Sequence, residues 1–217
     1  MSTFPGSPRL LRAGIVLVDS RTAAVQRIIA LQYNPDSLTR SLQIKGVSGE
    51  GGERLEALRL AGPPVETIQL EAEIDATDPL EAGDSQTSQA GIHPQLAALE
   101  TIVYPTSTHL NSNRSQASAG TLEIAPAQGP LTLFLFGPRR IVPVRITELS
   151  VTEEAFDTAL NPMRARLTLG LRVLTVDDLG FDAKGGGLFM AYLEAKEQLA
   201  ASNVQGTFGA LGITGIP

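Results

Sequence analysis

Hydrophobic positions recur with two different spacings along this chain, and each change of period marks an element. Alternation with a period of two is clearest in "TIQLEAEID", where Ile68, Leu70, Ala72 and Ile74 face one way and Gln69, Glu71, Glu73 and Asp75 the other. That pattern predicts a half-buried strand with an acidic outer face. "AGIVLVD" (Ala13 to Asp19) and "VQRIIALQYN" (Val25 to Asn34) read as two strands joined by the polar turn Ser20 to Thr22, a hairpin. "SLTRSLQIKG" places Leu38, Arg40, Leu42 and Ile44 on one parity, with Arg40 interrupting the apolar face. "LTLFLFG", "IVPVRITELSVTEEAF" and "MRARLTLGLRVLTV" supply three more strands with short connections, as in an antiparallel meander.

The period lengthens to that of a helix in "GIHPQLAALETIVYP", where Pro94 takes an early helical position and Pro105 stops the run. Leu96, Leu99 and Val103 share one side, with Ala97 and Ile102 nearby, so about three turns can lie across the end or face of a sheet. A second helix is expected in "LFMAYLEAKEQLAAS", with Leu188, Tyr192, Ala195 and Leu199 on one side. It follows "LGFDAKGGG", read as a flexible link with a hinge at Gly185 to Gly187, and precedes a glycine-rich tail. Between these elements, Arg54 to Leu60 reads as a short element in a mobile loop. Residues 76–91 read as acidic turns, and Thr106 to Gly120 as a polar segment that is disordered or contacts a partner.

Composition narrows what such a framework serves. The 217 residues suit one main β domain with appendages: an arm at 1–12, the β domain at 13–179, and a linker, helix and tail at 180–217. A 42% hydrophobic fraction supports a real core, yet aromatics are 5% and Trp is absent, so packing rests on Leu, Ile, Val and Ala. Net charge −6 disfavours nucleic acid and anionic lipid as partners. No apolar run reaches the roughly 20 residues of a membrane span, and the N-terminus lacks a signal-like stretch, so cytoplasmic synthesis without membrane insertion is expected. With no cysteine there is no disulfide, thiolate metal site or cysteine nucleophile.

Candidate chemistry is sparse. His93 and His109 are the only histidines, and neither a His-Glu-x-x-His spacing nor a Gly-x-Ser-x-Gly elbow occurs. Asp75, Asp78, Glu81 and Asp84 are hard-cation ligand types without the spacing of a calcium-binding loop. No catalytic, cofactor or metal site is therefore expected. Arg164 and Arg166 share one face of a strand, and two readings stay open: pairing with nearby acids, or a basic stripe meeting a partner's acidic strand. Glu71, Glu73 and Asp75 suit the acidic side of such a contact. In "YNPDSL" the Asn34-Pro35 step fixes a turn.

Four motifs together carry a resemblance: "LQYNPDSL", "LEAEIDATDPLEAGD…GIHPQLAALETIVYP", "PLTLFLFGPRRIVPVRITELSVTEEAFDTALNPMRARLTLGLRVL" and "YLEAKEQLA". In order and spacing, from about residue 13 to 201, the chain resembles the tube-protein family of contractile injection systems, especially the baseplate tube initiator or adaptor whose relatives often carry a LysM module. The resemblance implies a mainly β, phage-tail-tube-like barrel or sandwich of two antiparallel sheets with one packed α-helix, plus a C-terminal helix and tail. It implies a homo-hexameric ring that joins a trimeric spike or hub protein to the sixfold inner tube among baseplate proteins. The particle would assemble in the cytoplasm and be open to extracellular release. Glu71, Glu73, Asp75, Arg164, Arg166 and Tyr192 are the residues placed at its subunit or partner contacts. A bulk inner-tube subunit and a carbohydrate-binding β-domain are the alternatives. The chain departs from the family pattern in ending on a glycine-rich tail where adaptors continue into LysM.

Overall fold

The computed structural model describes residues 11–46, 59–120, 129–203, 206 and 208–216. Within them the alternating segments form seven strands: β1 (Gly14–Val18), β2 (Val25–Ala30), β3 (Leu38–Gln43), β4 (Val65–Asp75), β5 (Leu131–Leu135), β6 (Ile141–Phe156) and β7 (Pro162–Val173). They lie in the order β2-β1-β5-β6-β7-β4-β3, and every adjacent pair is antiparallel. The chain is thus mainly β, with the expected β1–β2 hairpin and β5-β6-β7 meander. Where two sheets were expected, all seven strands belong to one hydrogen-bonded sheet.

The sheet curls, because strands far apart in its order fill one core. Ile15 and Leu17 of β1 join Ile68, Leu70, Ala72 and Ile74 of β4 in a single buried cluster, together with Ala165, Leu167, Leu169 and Leu171 of β7. β6 keeps an apolar side toward this core along its length only because it contains a bulge. Val142, Val144 and Ile146 share one parity and Leu149 and Val151 the other, and the register shifts between Ile146 and Glu148. The extra residue returns both sets to the same face. Gly170 lies opposite the bulge, where an added Cβ would meet Glu148 Cβ at 2.9 Å.

A side-chain amide ties the segment after β2 to the end of β4. Beyond β2, Gln32 Oε1 accepts from Asp75 N at 2.9 Å and Gln32 Nε2 donates to Asp75 O at 2.8 Å, so it mimics a strand partner at the end of β4. Asn34 does the same at the start of the chain: Oδ1 accepts from Ala13 N and Nδ2 donates to Leu11 O. The turn expected at Asn34-Pro35 therefore also carries a backbone-clamping side chain.

Helices occupy the connections: α1 (Thr77–Glu81), α2 (Ser85–Ala90), α3 (His93–Glu100), α4 (Ser107–Ser118), α5 (Val176–Leu179) and α6 (Lys184–Ala201). In α3, Ile92 just before it, Leu96 and Leu99 are buried in the main core. Arg27 of β2 donates to Ala98 O and Thr101 Oγ1 at its far end, and Ile92 N donates to Pro162 O at its near end. It is shorter than its periodicity suggested, and Val103, expected on the packed side, lies beyond it and is 47% exposed.

Three expectations change. Residues 76–91 contain two short helices, the second capped by Asp84, which accepts from Thr87 N. Residues 107–118 form α4, which buries no residue; with no apolar stripe to reveal it, its visible start signal is Thr106, accepting from His109 N. The glycine triplet opens α6 instead of forming a hinge. A Cβ on Gly186 would stand 1.9 Å from Gly180 O, and one on Gly185 would stand 2.5 Å from Leu179 Cδ1, so both glycines serve close packing. α6 then places Phe189 and Tyr192 in the main core cluster. The short element expected at Arg54 to Leu60 lies mostly outside the described residues; Leu60 itself bridges Gly46.

Candidate functional site

Antiparallel register decides where the charged residues meet. On the outward face, Glu73 lies opposite Arg166 and Asp75 opposite Arg164, with Arg164 also opposite Glu154 of β6. Arg164 Nε contacts Asp75 Oδ2 at 2.8 Å and Glu73 Oε1 at 3.4 Å, and Arg166 Nε stands 3.6 Å from Glu154 Oε1. The acidic and basic strands considered as two sides of a contact between chains thus pair first within one chain. Asp75 is 9% exposed. Hydrogen bonding from the Thr77 side chain and backbone, then the Arg164 guanidinium, holds its carboxyl below the ordinary range against the opposing effect of burial. Glu71, opposite Thr168, stays exposed, with no ion pair among the described residues.

Tyr192 occupies a different place from the other five. It is 5% exposed and donates to Glu66 Oε1 at 2.9 Å, so its hydroxyl anchors α6 from within. Glu66 is itself 3% exposed and takes two further partners, Lys196 Nζ at 2.8 Å and Arg40 Nη1 at 3.5 Å. Lys196 also sits 4.0 Å from the Tyr192 ring centroid. A buried carboxylate needs such partners. Their chain positions could have been read as a signal: Glu66 lies on the apolar parity of β4 and Arg40 on that of β3, so two opposite charges each break a hydrophobic face, and register brings them together as diagonal neighbours.

Beside this cluster α6, β3 and the turn at 136–140 border an open pocket of about 420 Å³. Arg40, Arg139, Arg140 and Lys196 line it over an apolar floor that includes Leu42 and Phe136. Arg140 lies 5.3 Å from the Phe136 ring centroid. Arg139 and Arg140 have no carboxylate partner among the described residues. None of the sequence patterns singled out these two arginines, because their significance depends on α6 folding back over them.

The acidic segment after β4 is spread out. Asp75 pairs with Arg164, Asp78 Oδ2 accepts from Tyr33 at 3.2 Å, and Asp84 caps α2. Among the described residues no group of three or more His, Cys, Asp or Glu is placed to hold a metal ion, and no helix is long and apolar enough to cross a membrane.

Three backbone edges lack a partner strand among the described residues: the outer sides of β2 and β3, and the outer side of β6 beyond Val144, where β5 ends its pairing. The β2 edge is also apolar, with Val25 59% and Ile28 69% exposed. Unpaired strand edges are templates for pairing with another chain. In comparisons with known proteins, no family model and no curated protein matches the chain.

Proposed function

We propose that the chain is a structural subunit of a contractile injection system: an inner-tube initiator or adaptor that forms a six-membered ring and joins the trimeric spike to the sixfold tube in the baseplate. One observation carries this reading beside the four sequence motifs. A single curled antiparallel sheet leaves β2, β3 and the outer half of β6 without a partner strand among the described residues, on a body whose core is closed by α3 and α6. Copies related by rotation satisfy those edges by strand pairing, which uses main-chain hydrogen bonds and tolerates side-chain variation. The outward face of β6, β7 and β4, with Ser150, Thr152, Glu154, Arg164, Arg166, Glu71 and Glu73, is polar and mixed in charge, as suits the wall of an aqueous channel. The spike, the inner-tube protein and baseplate proteins of the same particle are the partners, and the role is one of assembly without a catalytic step.

Cryo-electron microscopy of the chain in its native particle tests this. A sixfold ring between spike and tube is expected. The same ring repeated along the tube would make it the bulk subunit, and a chain that stays monomeric, alone and with the other particle components, would overturn the reading.

A further inference from the structure

The cationic pocket between α6 and the 136–140 turn has features that folding alone does not require. Arg40 and Lys196 are already held by Glu66, so their positions are fixed before any ligand arrives. Arg139 and Arg140 add two positive charges with no acidic partner among the described residues, on a chain of net charge −6. Tyr192 and Leu199 complete the apolar lining. Such a pocket suits an anionic group, a carboxylate among them, carried beside an apolar side chain.

The chain itself carries such a group at the other end of β4. In α1, Asp78 and Glu81 flank Leu80, which is 36% exposed, and Glu81 has no ion pair among the described residues. β4 runs from Val65, next to Glu66, to Asp75, just before α1. Arg40 and Leu42 of the pocket lie opposite Ile68 and Glu66, seven to nine strand steps of about 3.3 Å from Asp75, so more than about 20 Å of β4 separates the two surfaces and one copy does not fill its own pocket. We infer that the pocket of one copy receives the Asp78-Leu80-Glu81 surface of a second copy, a head-to-tail contact in which carboxylates meet Arg139 and Arg140 while Leu80 enters the apolar floor. Because the two surfaces differ, the contact is heterologous and repeats around a closed ring. The inference deepens the ring reading and rests on it for the presence of a second copy.

The absence of native cysteine makes a direct test simple. Full-length chain carrying Leu80→Cys is mixed with chain carrying Leu199→Cys, treated with a short bismaleimide, and scored for covalent dimer against a Leu80→Cys and Ser20→Cys control pair. At least a tenfold excess over the control is expected. Arg139→Glu with Arg140→Glu in the Leu199→Cys chain should remove it, and adding Asp78→Lys with Glu81→Lys in the Leu80→Cys chain should restore it. A yield no higher than the control, or one indifferent to charge reversal, overturns the contact. So does loss of the dimer to sub-millimolar citrate at constant ionic strength, which would mark a site for a free polycarboxylate. Sedimentation of the unmodified chain separates the two readings: a six-membered particle without the crosslink removes this contact alone, and a charge-dependent crosslink without such a particle removes the ring alone.

Discussion

Replacing Tyr192 with Phe deletes one oxygen from the most buried polar cluster that holds α6. The phenol donates to Glu66 Oε1 at 2.9 Å, and both side chains are almost fully buried. A hydrogen bond to a charged group contributes about 1.5–3 kcal/mol, and its loss leaves the acceptor desolvated. Arg40, 3.5 Å from the same oxygen, compensates in part, which puts the expected cost at the lower end, about 1.5–2 kcal/mol. With a urea m-value of about 2.5 kcal/mol/M, near the upper end for small proteins, the midpoint should fall by about 0.7 M with unchanged slope. Lys196→Met is the informative contrast. Its ammonium also contacts Glu66, but the side chain is 34% exposed and solvent replaces part of the interaction, so it should cost less than Tyr192→Phe. A double-mutant cycle with Glu66→Gln should show coupling of about 1 kcal/mol to Tyr192. A Tyr192→Phe shift below about 0.2 M, or a larger effect from Lys196→Met, would refute the view that the buried phenol, and not the rim cation, anchors the helix.

Other perturbations probe other joints. Gly186→Ala and Gly187→Ala should act with opposite sign in thermal melts: the first drives a Cβ to within 1.9 Å of Gly180 O and should destabilise by about 2 kcal/mol or more, whereas the second meets nothing within 4 Å and should stabilise by about 0.5–1 kcal/mol. Gln32→Ala strips both partners from the Asp75 backbone and should cost about 1–3 kcal/mol, with faster amide hydrogen exchange at Asp75. Because the folded state lowers the Asp75 pKa, its ionised form contributes stability above the ordinary carboxylate range, and that contribution is lost as pH falls through the folded value. Asp75→Asn should therefore be less stable than wild type at pH 7, with the gap closing below about pH 4 in pH-dependent denaturation.

Periodicity alone determined that this chain builds strands within residues 13–19, 67–75, 131–137 and 163–176, that α3 and α6 have apolar sides, and that the last three strands form a meander, because each follows from which side chains must leave water. It also contained, as two misplaced charges, the beginnings of the Arg40–Glu66 cluster. Tertiary structure decided the rest. The bulge in β6 is legible only once one knows that both its halves face the same core. The glycine triplet opens α6 instead of forming a hinge, and Gly185 and Gly186 pack against Leu179 and Gly180 because the chain turns back on itself between α5 and α6. α4 buries nothing, so no hydrophobic stripe could announce it. Register, a property of two strands and not of one, turned Arg164, Arg166, Glu73 and Asp75 from candidate contacts between chains into an intrachain ladder. Burial then set the Tyr192 hydroxyl against Glu66, while the fold-back of α6 gathered Arg139, Arg140 and Lys196 around one pocket. Local patterns specify which face of an element is apolar; only packing specifies which charges share a space.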